Sequence, residues 1–315
     1  MPPSSSLGIL SHQTPDRSMH TQAEKNEITI SRARENVRKK EVSPQRIPAG
    51  VLTMWNLAMT LFHSGLVVVT LLFGNSDLTV PIYKTNFTLL YQDDNETAWA
   101  LIPEYVAAGS INLTWLTASF FFLSALFHFL NATFLRAYYL RNLAICRSPT
   151  RYLEYTFSAA VMQVLIAYGL GVRERMLLLS VAVLIGITMP FGVWVEDVAR
   201  PFGAYEWNLP LRNRLLPWFV GNIPQATAWF IVVVNFYDGI SLQAPAFVHL
   251  ILWGEMFLFF TFGFVALYQQ YRYPCDFYKG ELLFQVLSLV SKGLLGGLLI
   301  ANVLMLSSFD EIYQG

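Results

Sequence analysis

Seven apolar runs, each long enough to cross a hydrocarbon layer of roughly 30 Å, constrain this chain more than any other feature it has. They lie at Val51–Phe73, Val106–Phe134, Tyr152–Gly171, Met176–Val195, Leu215–Phe236, Ala246–Tyr268 and Leu282–Leu306. With 54 % apolar and 13 % charged residues, the chain has too little charge to cover such runs with a soluble surface. The predicted fold is an all-α, integral multi-pass bundle of seven transmembrane helices in the lipid bilayer. Residues 50–306 form the membrane domain. Residues 1–49, rich in Ser, Gln, Glu, Lys and Arg and without the apolar stretch of a secretory signal, read as a disordered basic tail. Residues 307–315 read as a short tail after the last helix.

Formal charge is balanced at 21 basic and 21 acidic residues, which gives no field to draw a nucleic acid. Its distribution is far from even. Outside the runs, the N-terminal tail and the second, fourth and sixth loops together hold seventeen Lys and Arg, whereas the intervening loops hold only Lys84, Arg173 and Arg175. Basic residues stay on the cytoplasmic side of a membrane. The N-terminus is therefore expected in the cytoplasm and the C-terminus outside, with the plasma membrane as the expected location. The cluster Arg32–Lys40 reads as a solvated charge run beside the first helix. Cys146 and Cys275 both fall in cytoplasmic loops, where thiols stay reduced, so no structural disulfide is expected.

The one long external loop carries Val80–Tyr91, whose Thr, Tyr and Phe content suits a short hairpin capping the outer mouth. Sequons start at Asn86, Asn95, Asn112 and Asn131, and the runs leave only Asn86 and Asn95 outside the membrane as candidate glycosylation sites. No paired broken helices point to a secondary transporter, and no metal is called for.

An ionisable residue in mid-helix costs on the order of 2.5–3.5 kcal/mol to insert, so each one needs a partner or a task. Lys292 lies deep in the seventh run. From spacing alone it is either a buried ammonium paired with a carboxylate or a covalent attachment point, since an amine in an apolar pocket condenses with aldehydes. Glu154, near the start of the third run, either answers Arg151 at the interface or keeps a buried cation charged. Ser288, one turn before the lysine, supplies no second carboxylate. His63 and His128 are either packing residues or groups that take and return a proton. Glu255 stands well inside the sixth run, as a neutral acid bonded to a neighbouring helix or as a proton relay, and Glu196 is a further relay candidate. Trp218, Phe219, Trp229, Trp253, Phe257 and Phe260 crowd helices five and six. Most suit lipid contact, and some would sandwich a flat conjugated ligand. Pro190, Pro217 and Pro224 mark kinks that open room inside a bundle.

Taken together these segments resemble the heliorhodopsins. The strongest likeness is Lys279-Gly280-Glu281 followed by Val286-Leu287-Ser288-Leu289-Val290-Ser291-Lys292, which looks like the family's retinal-lysine helix. Glu154-Tyr155 with Ser158, Val161-Met162 and Val164-Leu165-Ile166-Ala167 is similar to its counter-ion helix, and Leu123-Ser124-Ala125-Leu126-Phe127-His128-Phe129 to its second helix. Phe191-Gly192 with Glu196 and Pro201, and Leu215-Leu216-Pro217 with Gly221 and Trp229, add to it. The family is inverted relative to other rhodopsins, in agreement with the charge asymmetry. The resemblance implies all-trans retinal bound covalently as a Schiff base on Lys292, Glu154 as counter-ion, His63 and His128 as the proton-accepting region, and a homodimer. A retinal pocket is expected from Ser288, Ser291, Met162, Ser158, Trp229, Trp253 and Phe257. The implied function is light sensing without enzymatic activity. A passive light-gated proton path through Glu255 is the rival reading. The chain departs from the family where serines common in the counter-ion helix are replaced by Ala159 and Ala160, and where Glu255 stands in place of apolar residues.

The charge asymmetry has a direct test. An epitope inserted before Arg32 should be reached by antibody only after permeabilisation, and one placed after Gln314 should be reached on intact cells. The reverse labelling would overturn the orientation.

Overall fold

The computed structural model describes residues 47–91, 99–199, 211–272 and 276–305. Most of the expected basic tail, the last ten residues, Asn95, Pro201 and Cys275 lie outside the described residues. Eight helices and one hairpin make up the described chain: α1 (Ala49–Phe73), β1 (Thr79–Tyr91), β2 (Trp99–Asn112), α2 (Leu113–Ala132), α3 (Arg136–Ala144), α4 (Pro149–Gly169), α5 (Arg175–Ala199), α6 (Leu211–Gly239), α7 (Ala246–Tyr271) and α8 (Phe277–Leu299). A π-helical turn, Ile300–Leu304, ends α8. Six of the helices, all but α3 and α4, are long and apolar enough to cross a membrane. The protein is an integral, multi-pass membrane protein.

Each long helix packs on the next in sequence, and α8 with its π turn returns against α1, which closes the ring. Local chemistry sets the helix ends. Pro149 opens α4 at a position where its missing N–H costs nothing. Gly171, at φ 98°, turns the chain out of α4 in a conformation that suits glycine. Bare glycines allow close approach inside the ring: a Cβ on Gly296 would stand 2.2 Å from the ring of Phe121, and one on Gly192 2.0 Å from that of Tyr152. Such space exists only while the helix surface lacks a side chain.

The hairpin is longer than expected. β1 and β2 pair antiparallel from Thr79↔Asn112 to Tyr91↔Trp99, with a bulge opposite Ile82 and Tyr83 where Gly109 adopts φ 127°. Residues 106–112, read from the sequence as the start of the second span, belong to β2. The correction has a simple cause. The apolar stretch runs unbroken from strand into helix, so hydropathy cannot see the boundary, which is set by the Asn112 side chain accepting from the Trp115 N–H at 2.9 Å. Asn112 thus lies at a helix cap and not within a span.

Leu78, Val80 and Leu113 join the main apolar core. The Tyr83 N–H donates to the Arg173 carbonyl at 2.9 Å and the Tyr168 hydroxyl to the Pro81 carbonyl at 3.1 Å, so the hairpin is fastened across the α4–α5 turn. At the opposite end α3, which the sequence reading treated as plain loop, lies between α2 and α4, and its Tyr139 and Leu143 are buried. Buried Cys146 follows it. Asp276 precedes α8, and the Arg272, Lys279 and Tyr268 groups bonded to it pull its carboxyl down to about 2.

Candidate functional site

Lys292 sits fifteen residues along α8 and is only 3 % exposed. An ammonium there needs an anion and further acceptors. Its Nζ donates to Glu154 Oε1 at 2.9 Å and to Ser288 Oγ at 2.8 Å. Glu154, on α4 and equally buried, also accepts from Ser124 Oγ of α2 at 2.8 Å. Three helices thus meet at one ion pair, with Nζ also 5.3 Å from the centroid of the Tyr155 ring. Of the two groups that the sequence offered Glu154 as a partner, it contacts Lys292. Arg151 does not take it, because that guanidinium is paired with Glu196 and Glu281.

The ion pair borders a cavity of about 810 Å³, counted with its open side. Its walls come from α4, α5, α6, α7 and α8 and are almost wholly apolar, with Met162, Phe191, Trp218, Phe259, Phe262 and Phe284 among them. Lys292, Ser288, Ser291 and Ser158 supply polar groups in its wall. The Ser158 hydroxyl is buried with no partner among the described residues. Gly192 and Gly221 line the cavity too, and a Cβ on Gly221 would stand 2.6 Å from Phe191 Cβ.

Ser288, Ser291, Met162 and Ser158, expected at a ligand pocket, all line this cavity. Trp229, Trp253 and Phe257 do not. Trp253 is 48 % and Phe257 70 % exposed on the outer face of α7. Trp229 is buried but stands behind Phe259, with their ring centroids 5.4 Å apart. The inward face of α7 is instead Glu255, Phe259, Phe262, Gly263 and Ala266, spaced by three and four as a helical stripe requires. Reading from Glu255 at that spacing would have found it. Asn222 and Gln225, which place amides in the cavity wall, carried no sequence signal beyond polarity within an apolar run.

Beyond Glu154, α2 leads away from the hairpin to His128, one turn from Ser124. Its Nδ1 lies 2.9 Å from Asn56 Oδ1 of α1, and its ring stacks on that of His63, with centroids 5.8 Å apart and planes at 7°. Both ring nitrogens of His63 are buried and without a partner among the described residues. Glu255 is fully buried on the other side of the lysine, where Ser291 Oγ donates to its Oε2 at 2.6 Å.

The heliorhodopsin family profile matches residues 52–304, which include every element of this site. The chain belongs to the heliorhodopsin family. Among solved structures, this heliorhodopsin is similar to a light-driven proton pump, LR (Mac), from Leptosphaeria maculans. The two share 12 % identity at a TM-score of 0.44, over 82 % of this chain and 96 % of that one. No curated protein matches it. Family membership implies retinal as the cofactor, and the residues present suit it. A flat apolar polyene matches the aromatic walls, and the buried amine matches an aldehyde end.

Proposed function

We propose that this heliorhodopsin is a light sensor in which seven helices span the membrane, the N-terminus is cytoplasmic, and all-trans retinal is joined covalently to the Lys292 amine as a Schiff base. The observation that carries the reading is a buried Lys292 Nζ at the wall of an aromatic cavity, ion-paired with Glu154 at 2.9 Å. α4 serves as the seventh span. Its hydropathy is lowered by Arg151, Glu154 and Gln163, yet all three are buried in the bundle and do not face lipid. A homodimer fits the exposed apolar residues of the hairpin, among them Phe87, Leu90, Leu101 and Tyr105.

Retinal held there supplies light absorption and a change of shape. The chain supplies the rest. Glu154 holds the positive charge at Lys292 Nζ and is positioned to take its proton, with the Ser124 hydroxyl steadying the same oxygen. His128 and the unpartnered nitrogens of His63 extend that polar region toward the α3 end and can share the proton. Ser288 holds the amine in place from within α8. Tyr155, whose ring centroid lies 5.3 Å from Nζ, and the apolar Met162 and Phe284 in the same cavity wall would keep water from the nitrogen once retinal fills the cavity.

Glu255 favours a second reading, a passive light-gated proton path. It is fully buried and bonded to Ser291, the residue next to the lysine, so proton-bearing groups flank the switch on both sides.

Reconstitution with retinal tests the first reading. Lys292→Ala should fold yet stay colourless, and a visible band surviving that change would exclude the lysine as the attachment point. Glu154→Gln should move the absorption band to longer wavelength, because the positive charge is then less tightly held at the nitrogen. An unmoved band would assign the counter-ion role elsewhere. For the second reading, illuminated voltage-clamped cells should pass a current whose reversal potential follows the pH gradient, reduced in Glu255→Gln with little change of colour. Absence of current across voltages and gradients leaves the sensor alone.

A further inference from the structure

Besides the lysine and its serines, the cavity wall carries a second group of polar side chains, Trp218, Asn222 and Gln225 of α6. Steps of four and three residues keep all three on one face of the helix. An amide in an apolar wall inside a membrane is costly unless it is bonded. The donors on this side are already engaged by backbone carbonyls. Trp218 Nε1 donates to the Gly263 carbonyl of α7 at 2.8 Å. Asn222 Nδ2 donates to the Trp218 carbonyl at 2.8 Å, and Gln225 Nε2 to the Phe259 carbonyl of α7 at 3.1 Å. The hydroxyl of Thr188, on α5 and also in the wall, donates to the Leu184 carbonyl at 3.0 Å.

These bonds fix which way the two amides face. A backbone carbonyl can only accept, so each amide nitrogen must lie against it and each amide oxygen away from it. Neither Asn222 Oδ1 nor Gln225 Oε1 accepts a hydrogen bond among the described residues. Gln225 is only 5 % exposed, which keeps its oxygen from bulk water. A Cβ on Gly263 would stand 3.2 Å from Asn222 Oδ1, so the bare glycine leaves that oxygen its space. The Ser158 hydroxyl of α4 has no partner among the described residues, and so reaches neither amide. Each amide nitrogen also keeps a second hydrogen. α6 thus offers the cavity two oriented acceptors, each with an N–H beside it.

Retinal joined at Lys292 has its aldehyde end at α8 and its ring at the other end of a stiff polyene. α6 is separated from α8 by α7 and from α4 by α5, so it faces the end of the ligand remote from the nitrogen. A hydrocarbon ring there would leave both oxygens dry and unbonded, and a buried acceptor without a donor is expensive. A hydroxyl on the ring can donate to an amide oxygen and accept from an amide N–H, whereas a ring carbonyl could only accept.

We propose that α6 makes the cavity selective for a retinal whose ring bears a hydroxyl, with Gln225 Oε1 accepting from that hydroxyl and Asn222 as the second polar contact. The inference rests on the reading of the cavity as a retinal site and adds the class of retinoid that it takes. Gln225 and Asn222 act on which ligand is held and leave the chemistry at Lys292 to Glu154 and Ser288.

Competition between ligands tests it. Full-length protein prepared without chromophore is given an excess of all-trans-retinal and all-trans-3-hydroxyretinal in equal amounts, and in a parallel mixture retinal and 4-hydroxyretinal. After equilibration the bound chromophore is extracted and measured by chromatography. At least one hydroxylated form should be taken up in roughly tenfold preference to retinal, as a hydrogen bond to a buried acceptor allows. Gln225→Met keeps the length of the side chain without its oxygen or N–H and should abolish the preference, and Asn222→Leu should lower it. The proposal is overturned if the parent takes up the ligands equally in both mixtures, as it would if ordered water already satisfied the amides, or if the preference survives in Gln225→Met. Where Gln225→Met does not fold, an undiminished preference in Asn222→Leu overturns it equally. If the parent forms no visible band with any of the three aldehydes, the retinal reading fails and this proposal with it, whereas a band from retinal with equal uptake overturns this proposal alone.

Discussion

Everything in the bundle is arranged around one ion pair. An ammonium and a carboxylate each cost several kcal/mol to bury, and removing one partner of a buried pair typically costs about 3–5 kcal/mol more than keeping both. Lys292 and Glu154 are 138 residues apart in sequence, so their 2.9 Å contact obliges α4 and α8 to lie side by side. Ser124 brings α2 to the same carboxylate. With those three helices fixed, α1 has only the space beside α2 and α8, and α5, α6 and α7 complete the ring around the cavity. The small residues follow from the same constraint, because Gly296 can sit against Phe121 of α2 only without a Cβ.

The helices were legible because lipid demands long apolar runs, and Lys292 and Glu154 were legible because charge within such runs is rare. What stayed hidden has physical causes. The boundary between β2 and α2 lies inside one apolar stretch, where composition does not change, and only the Asn112 cap marks it. α3 carries Arg136 and Arg141 on exposed turns, so it reads as a polar loop, although Tyr139 and Leu143 anchor it from beneath. Trp253 and Phe257 were taken for pocket residues on ring chemistry alone, yet α7 turns them toward lipid, and only the spacing from Glu255 tells the faces apart. The partners of Arg151 are 45 and 130 residues distant, beyond the reach of local spacing, which offered only Glu154, three residues away, as one open alternative.

The polar groups around the lysine are not symmetric, and this bears on what a released proton can do. Toward the α3 end come Glu154, Ser124, His128, Asn56 and His63, in bonding or stacking contact, and at the end of the bundle the Arg151 cluster. Toward the hairpin α8 continues with buried Leu295 and Leu299 of the main apolar core, and the polar groups are Glu255 with its serine and single amides or hydroxyls set among apolar neighbours. A pump must offer the proton first to one side and then to the other. In the proposed sensor the resting pair leans toward one side, so a proton leaving Lys292 would pass to Glu154 and back again. Such a return trip moves no net charge across the membrane. It does alter the attraction that holds α4 against α8, and Arg151, on α4 and bonded to both α5 and α8, would carry that change to the end of the bundle. A site built this way is better suited to altering a surface than to driving an ion, which is why sensing is the reading that the bonding around Lys292 supports best.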